Sequence, residues 1–328
     1  MRAVVITAPG GPEVLALRDV PLPPLLPGHI RVRVRATALN RADLLQRRGL
    51  YPAPAGAPAD IPGLEYAGEV EAAAPDAQRW QPGERVMGIV GGGGCAEYVQ
   101  VHEDEALPVP ASLSLTEAAA VPEAFLTAHD ALSTLMQLRA GESVLIHAAA
   151  SGVGTAAIQL AHVLGARVYG TSRTARKLDA VSSLGIDYAI DTTKHDFATA
   201  VEHITNGRGV NGVLDLVGGP YLGGNIRCLA PRGRLILVGL TAGATAELDM
   251  RALLRKRLTV IGTVMRARPL DEKIAVAAAF ARAALPLLES GQLRPVIDRT
   301  LPMDQVQDAH RIVESNQTIG KVVLTWQE

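Results

Sequence analysis

Apolar and polar positions alternate strictly in "HIRVRVRATAL", with Ile30, Val32 and Val34 on one face and Arg31, Arg33 and Arg35 on the other. A period of two marks a half-buried β-strand. Further on, "PGERVMGIVGGGGCAEYVQV" predicts two strands around a flexible glycine run, and "YPAPAGAPADIPG" predicts a loop over a site. From about Glu123 the rhythm becomes strand–helix alternation. The candidate strands are "SVLIHA", "RVYGTS", "YAID", "GVLDLVG", "RLILVGL" and "LTVIGTVM", and helical stretches separate the first five. Near-continuous apolar strands in repeated βα units predict a parallel sheet covered by helices on both faces. After Met265 come a long Ala-rich helix, "RPVIDRTLP", a short helix and "GKVVLTW", a tail in α+β style that can rejoin the first third.

Composition bounds this picture. A chain of 328 residues suits about two domains. Hydrophobic content of 48% with 20% charge describes an ordinary globular protein, and 3% aromatics means a core of Ala, Val, Leu and Ile. A net charge of −1 gives no global bias toward nucleic acid or membrane. The three strand arginines read as a solvated face, with an RNA patch as the alternative. "MRAVVITAPGGPEV" is too short and too broken to be a signal peptide, and no apolar run approaches the ~18 residues of a membrane span. Cys95 and Cys228 form no C-x-x-C pair and read as reduced thiols of a cytoplasmic protein.

The stretch "LIHAAASGVGTAAIQLAHVLGARVYGTS" has the order of a dinucleotide-binding βαβ unit. Its G-x-G-x-x-G positions hold Ala149, Ser151 and Gly154, so two of three glycines are missing. Ala149 costs little if its φ is negative. Ser151 brings a hydroxyl able to donate to a phosphate oxygen. Gly152, Val153 and Gly154 open a helix whose free N–H groups and positive potential suit an anion.

"HAAASGVGTAAIQLA" resembles the A-x-x-G-V-G signature of the quinone oxidoreductase branch of the medium-chain dehydrogenase/reductase superfamily. "ALNRADLLQRRGLYPAP", "PGLEYAG", "AAAVPEAFLTA" and "NQTIGKVVL" most resemble its tumour-suppressor-inducible subgroup. The resemblance implies an α/β fold: a Rossmann doubly wound parallel sheet plus a GroES-like β-rich catalytic domain. It divides the chain into a catalytic part at 1–122, an NADPH-binding Rossmann domain at 123–265 and a returning segment at 266–328. It also implies a homodimer joined through the Rossmann domains. "RLTVIGTVM" reads as the apolar edge strand that would pair with its symmetry mate.

Zinc enzymes of this superfamily hold their catalytic metal through Cys, His and Cys, and the matching positions here are Asn40, Leu64 and Glu123. Leu cannot ligate and Asn is a poor zinc ligand, so no metal is expected. His129 and His147 read as packed or solvated residues. Hydride transfer to an electrophilic quinone needs little beyond juxtaposition and an apolar slot. By resemblance the slot is lined by Asn40, Asp43 and Tyr51. Asn40 would bond the nicotinamide ribose or a substrate oxygen. Tyr51 would stack on the ring or donate its phenol proton, and Asp43 serves either the slot or a helix cap. Glu65 reads as a structural hydrogen-bonding group.

The strand "RVYGTS" ends without the acid that NAD-selective Rossmann domains place about 20 residues past the fingerprint. Thr171, Ser172, Arg173 and Lys177 stand there instead, with Arg176, and offer hydroxyls and positive charge to a 2′-phosphate. By resemblance Lys177 is the main phosphate contact, Thr192 replaces a usual tyrosine, Thr127 faces the nicotinamide, and Gly239 and Leu240 complete the cofactor set. The expected activity is NADPH-dependent, metal-independent quinone reduction. The alternatives are reduction of an activated C=C bond in an enal or enone, and an RNA-binding or structural role like that of zeta-crystallin relatives, for which the strand arginines and "RALLRKR" are the basis.

Overall fold

A computed structural model describes residues 1–326. In chain order the strands are β1 (Arg2–Ile6), β2 (Leu15–Asp19), β3 (His29–Ala38), β4 (Glu65–Ala73), β5 (Arg85–Ile89), β6 (Tyr98–His102) and β7 (Leu107–Pro108). They continue with β8 (Ser143–Ile146), β9 (Arg167–Ser172), β10 (Tyr188–Asp191), β11 (Val210–Asp215), β12 (Leu229–Leu237) and β13 (Thr259–Gly262). The last two are β14 (Ile297–Pro302) and β15 (Lys321–Thr325). The chain forms two compact units, one of Met1–Leu126 with the described residues from Met265 onward and one of Thr127–Val264.

The first unit is built on a sheet in the order β14-β15-β3-β4-β5-β7, with β6 also paired to β3. Its pairs are antiparallel except β14 with β15. The alternation in β3 does what period two requires: Ile30, Val32 and Val34 enter a core with Tyr66, Val70, Val86, Val99 and Val101. On the other face Arg31 pairs with Glu71 and Arg35 with Glu69, both glutamates lying on β4. The C-terminal segment belongs to this unit because Val322 and Leu324 of β15 pack with Val4, Leu15 and Leu39.

The second unit is a six-stranded parallel sheet in the order β10-β9-β8-β11-β12-β13. This is the doubly wound order, with the strand sequence reversing direction between β8 and β11. Its core joins Leu145, Tyr169, Ile190, Val213 and Leu235 of the strands to Phe197, Val201 and Ile226 of the covering helices. No helix among the described residues is long and apolar enough to cross a membrane.

Candidate functional site

In the second unit the carboxyl end of β8 runs into the turn His147–Ser151 and the helix Gly152–Val163. The Ser151 hydroxyl caps this helix by accepting from the Gly154 N–H at 3.1 Å, which leaves its own proton free to donate. At the first two helical positions the N–H groups of Gly152 and Val153 have no acceptor within the helix. A side chain at Gly154 would overlap the carbonyl oxygen of Ala148 and come within 2.7 Å of that of Ala149. The third glycine position is therefore fixed by helix–strand packing. Ala149 has a negative φ, whereas its neighbour Ala148 adopts the left-handed conformation at φ 50°. The turn thus leaves the Gly152 and Val153 N–H groups without an acceptor in the helix even though the first two glycines are missing.

Ser172, Arg173, Lys177, Gly239 and Leu240 end or follow strands that finish at the same carboxyl edge, and Thr171 changes role. Ser172 ends β9, Arg173 beyond it is exposed, and Lys177 lies in the first turn of the helix Ala175–Val181. Thr192 at the end of β10 bonds the Ser172 carbonyl through both its N–H (2.9 Å) and its hydroxyl (3.2 Å). Asp191, in register with Ser172, has its carboxylate held by the Thr193 hydroxyl at 2.7 Å. Gly239 and Leu240 follow β12, where a side chain at Gly239 would come within 2.7 Å of the Leu216 carbonyl.

Thr171 does not fit the expected phosphate contact. It is buried, and its hydroxyl lies 2.9 Å from Nδ1 of His147. The His147 Nε2 reaches Asn225 Oδ1 at 2.7 Å, and the Asn225 amide donates to Asp215 at 2.8 Å. The other Asp215 oxygen accepts the N–H groups of Val217 and Gly218. Burial holds His147 below the usual histidine range, so it serves as a neutral link between the ends of β8, β9 and β11. Thr127 is the opposite case, a buried hydroxyl with no hydrogen-bond partner. Such an orphan suits a group that supplies the missing partner, and the open N–H groups of the turn at the carboxyl edge suit the phosphates of a dinucleotide.

In the first unit, the buried Glu65 and Lys321 form one cluster with the half-buried Asn40. The Lys321 ammonium lies 2.6 Å from both Asn40 Oδ1 and Glu65 Oε1. The Asn40 amide donates to Glu65 at 2.9 Å and to the Ala38 carbonyl at 3.2 Å. Both Asn40 donors are spent, so a ligand would meet it only as an acceptor. Asp43 corrects the expectation of a slot residue. It is fully buried, with one oxygen accepting from the Asn40 N–H at 2.8 Å and the other from the Gly63 N–H at 2.9 Å. It caps the helix Arg41–Arg47 and anchors the loop before β4. Burial pushes its pKa up to about 6.

Glu123 stands on the π-helical turn Pro122–Leu126 and donates its backbone N–H to Glu65 at 2.8 Å. Its Oε2 is buried without a partner. Burial and the neighbouring Glu65 carboxylate push its pKa up to about 8. Tyr51 is half-buried at the start of the Pro-rich loop. Its ring lies 5.2 Å from the guanidinium of Arg266, a residue that the sequence reading passed over. Of the three zinc-ligand positions, Leu64 has no donor atom and Asn40 already faces an ammonium. Among the described residues no group of three His, Cys, Asp or Glu is placed to hold a metal ion.

Two families match the chain: "Alcohol dehydrogenase GroES-like domain" over residues 26–111 and "Zinc-binding dehydrogenase" over 152–282. The chain is 33% identical to a quinone oxidoreductase of Pseudomonas aeruginosa across 98% of its own length and 99% of the relative's. It is 38% identical to the spectinabilin polyketide synthase protein NorB of Streptomyces orinoci, but spans only 14% of that protein's length. It spans 8% of the pikromycin synthase component PikAII of Streptomyces venezuelae. Among solved structures, Escherichia coli quinone oxidoreductase complexed with NADPH has a TM-score of 0.88 at 28% identity, covering 99% of this chain and all of the other. The CurK enoyl reductase has a TM-score of 0.86 at 26% identity, with 99% of each chain covered. Sequence, fold and the doubly wound sheet agree: this chain belongs to the quinone oxidoreductase branch of the medium-chain dehydrogenase/reductase superfamily.

Proposed function

We propose that this oxidoreductase reduces quinones by hydride transfer, uses NADPH and needs no metal ion. The observation that carries the reading is the carboxyl edge of the parallel sheet, with the capped Ser151 turn beside an acid-free end of β9 followed by Arg173, Arg176 and Lys177. Bound there, NADPH would supply the hydride. Ser151, Gly152, Val153 and Gly154 hold its pyrophosphate, Ser172, Arg173 and Lys177 its 2′-phosphate, and Gly239, Leu240 and Thr127 its nicotinamide half. Tyr51 contacts the acceptor, and Asn40 contributes at most an acceptor atom. The donor set supports metal independence: Leu64 cannot ligate, and Lys321 already supplies a cation to Asn40 and Glu65.

Reduction of an activated C=C bond is the second reading, favoured by the likeness to the CurK enoyl reductase. It uses the same donor and the same edge. NADPH oxidation measured with an ortho-quinone, a para-quinone and an enone separates the two. Turnover with the quinones that survives exhaustive chelation is expected. Faster turnover with the enone moves the assignment to the second reading, and loss of activity with removal of stoichiometric zinc defeats metal independence.

A further inference from the structure

Arg266 is 3% exposed, yet none of its hydrogen bonds reaches a carboxylate. Its Nε donates to the Gly91 carbonyl at 2.7 Å, one Nη to the Tyr51 carbonyl at 3.1 Å and the other to Gln46 Oε1 at 2.6 Å. All three acceptors are neutral. Asp43 and Glu123 lie near enough to favour its charge but make no hydrogen bond to it. Burying a guanidinium with no direct carboxylate partner is costly, and an apolar side chain of similar size often serves stability as well or better. Packing alone therefore gives a poor reason for an arginine here.

What Arg266 holds is the Pro-rich loop. Besides gripping the Tyr51 carbonyl, its guanidinium sits at the face of the Tyr51 ring. Gln46, fixed by Arg266, donates its amide to the Ala59 carbonyl at 3.1 Å. Asp43 takes the Gly63 N–H. The loop from Tyr51 to Gly63 is thus pinned at its start, near its end and at its last residue. Arg266 makes the first contact directly and the second through Gln46. A planar five-donor fork can hold a carbonyl, an amide and a ring at once, whereas a lysine is a single point donor.

We propose that Arg266 is a positioning residue for the electron acceptor: by clamping the carbonyl and ring of Tyr51, it fixes the phenol against which a flat acceptor seats. This rests on the reading in which Tyr51 contacts the acceptor. Arg266 touches no reacting atom and acts through Tyr51. Loss of the clamp frees a side chain that acceptor binding must then immobilise, and the penalty falls on the acceptor and not on the nucleotide.

The test compares wild type, Arg266→Met, Arg266→Lys, Tyr51→Ala and the Arg266→Met/Tyr51→Ala double variant by steady-state kinetics, with hydrogen exchange followed over residues 51–63. Arg266→Met should raise the acceptor KM about three- to tenfold, the cost of ordering one mobile side chain, and leave the NADPH KM unchanged. Exchange in the loop should quicken. Arg266→Lys, which keeps the charge and is the milder change should the Met variant fold poorly, should recover only part of the loss. In the Tyr51→Ala background the Arg266→Met effect should disappear, because both changes remove one interaction. A fully additive loss, a parallel rise in the NADPH KM, or wild-type acceptor kinetics in Arg266→Met would overturn the assignment. Wild type that turns over none of the acceptors removes the functional reading itself, and this inference with it.

Discussion

A 2′-phosphate at the end of β9 would meet Ser172, Arg173 and Lys177, and the stretch Gly170–Thr174 contains no acid to repel it. One charge-assisted hydrogen bond is worth about 1.5–3 kcal/mol, and each 1.4 kcal/mol is about tenfold in affinity. Lys177→Ala should therefore weaken NADPH binding by roughly one to two orders of magnitude and leave NADH nearly unchanged. Titration of both cofactors against both proteins decides it, and an equal loss for the two would place Lys177 away from the phosphate. Glu123 makes a different prediction. Its pKa is about 8 in the folded chain against 4.5 for the free group. A raised carboxyl contributes stability in full below the lower value, and that contribution is lost as pH rises through the upper one. Ionisation then sets a second carboxylate beside Glu65. Asp43 acts with the same sign over a lower window that ends near pH 6. Glu123→Gln keeps the shape without the titration, so its melting temperature should exceed that of wild type by more at about pH 8.5 than at about pH 5. Parallel melting curves across that range would show that Glu123 ionises without cost.

Elements were legible wherever local pattern decides them. "RVYGTS" and "YAID" coincide with β9 and β10, residue for residue. The strand read as "RLILVGL" begins earlier, at Leu229, because that residue pairs with Val210 across a register shift. No periodicity announces such a pairing. The left-handed Ala148 was equally hidden, since alanine has no preference for that conformation and the surrounding turn imposes it. Site residues divide in the same way. The Ser151 cap and the basic run after β9 are contiguous in sequence and could be read directly. Thr171 looked like a phosphate contact because its partner His147 lies 24 residues away. Asp43 has two roles open to it in sequence, and the N–H groups of Asn40 and Gly63 on its two oxygens decide for the cap. Arg266 is 215 residues from Tyr51, and Lys321 is 281 from Asn40. Pairings made only by the tertiary fold leave no mark in local spacing.

At the scale of the molecule, the outer strand of the parallel sheet raises a question of assembly. β13 covers only Thr259–Gly262, shorter than the nine-residue apolar run suggested, but it lies at the edge with Val260 exposed. Beside it in sequence, Met250 and Leu254 of the helix Met250–Lys256 are 69% and 75% exposed, and Val264 is 52% exposed. Open strand edges and clustered exposed apolar side chains mark surfaces that are covered in use. We propose that a second copy covers them, with β13 pairing to its symmetry mate, because a two-fold axis closes the edge without starting a filament. Light scattering at micromolar concentration should return twice the chain mass. Val260→Lys, which places a charge on the edge as natural sheets do to keep strands apart, should yield a folded monomer with an unchanged circular dichroism spectrum. Wild type that runs as a monomer at that concentration refutes the dimer. A dimer that persists in Val260→Lys and in Leu254→Asp alike puts the interface on another surface.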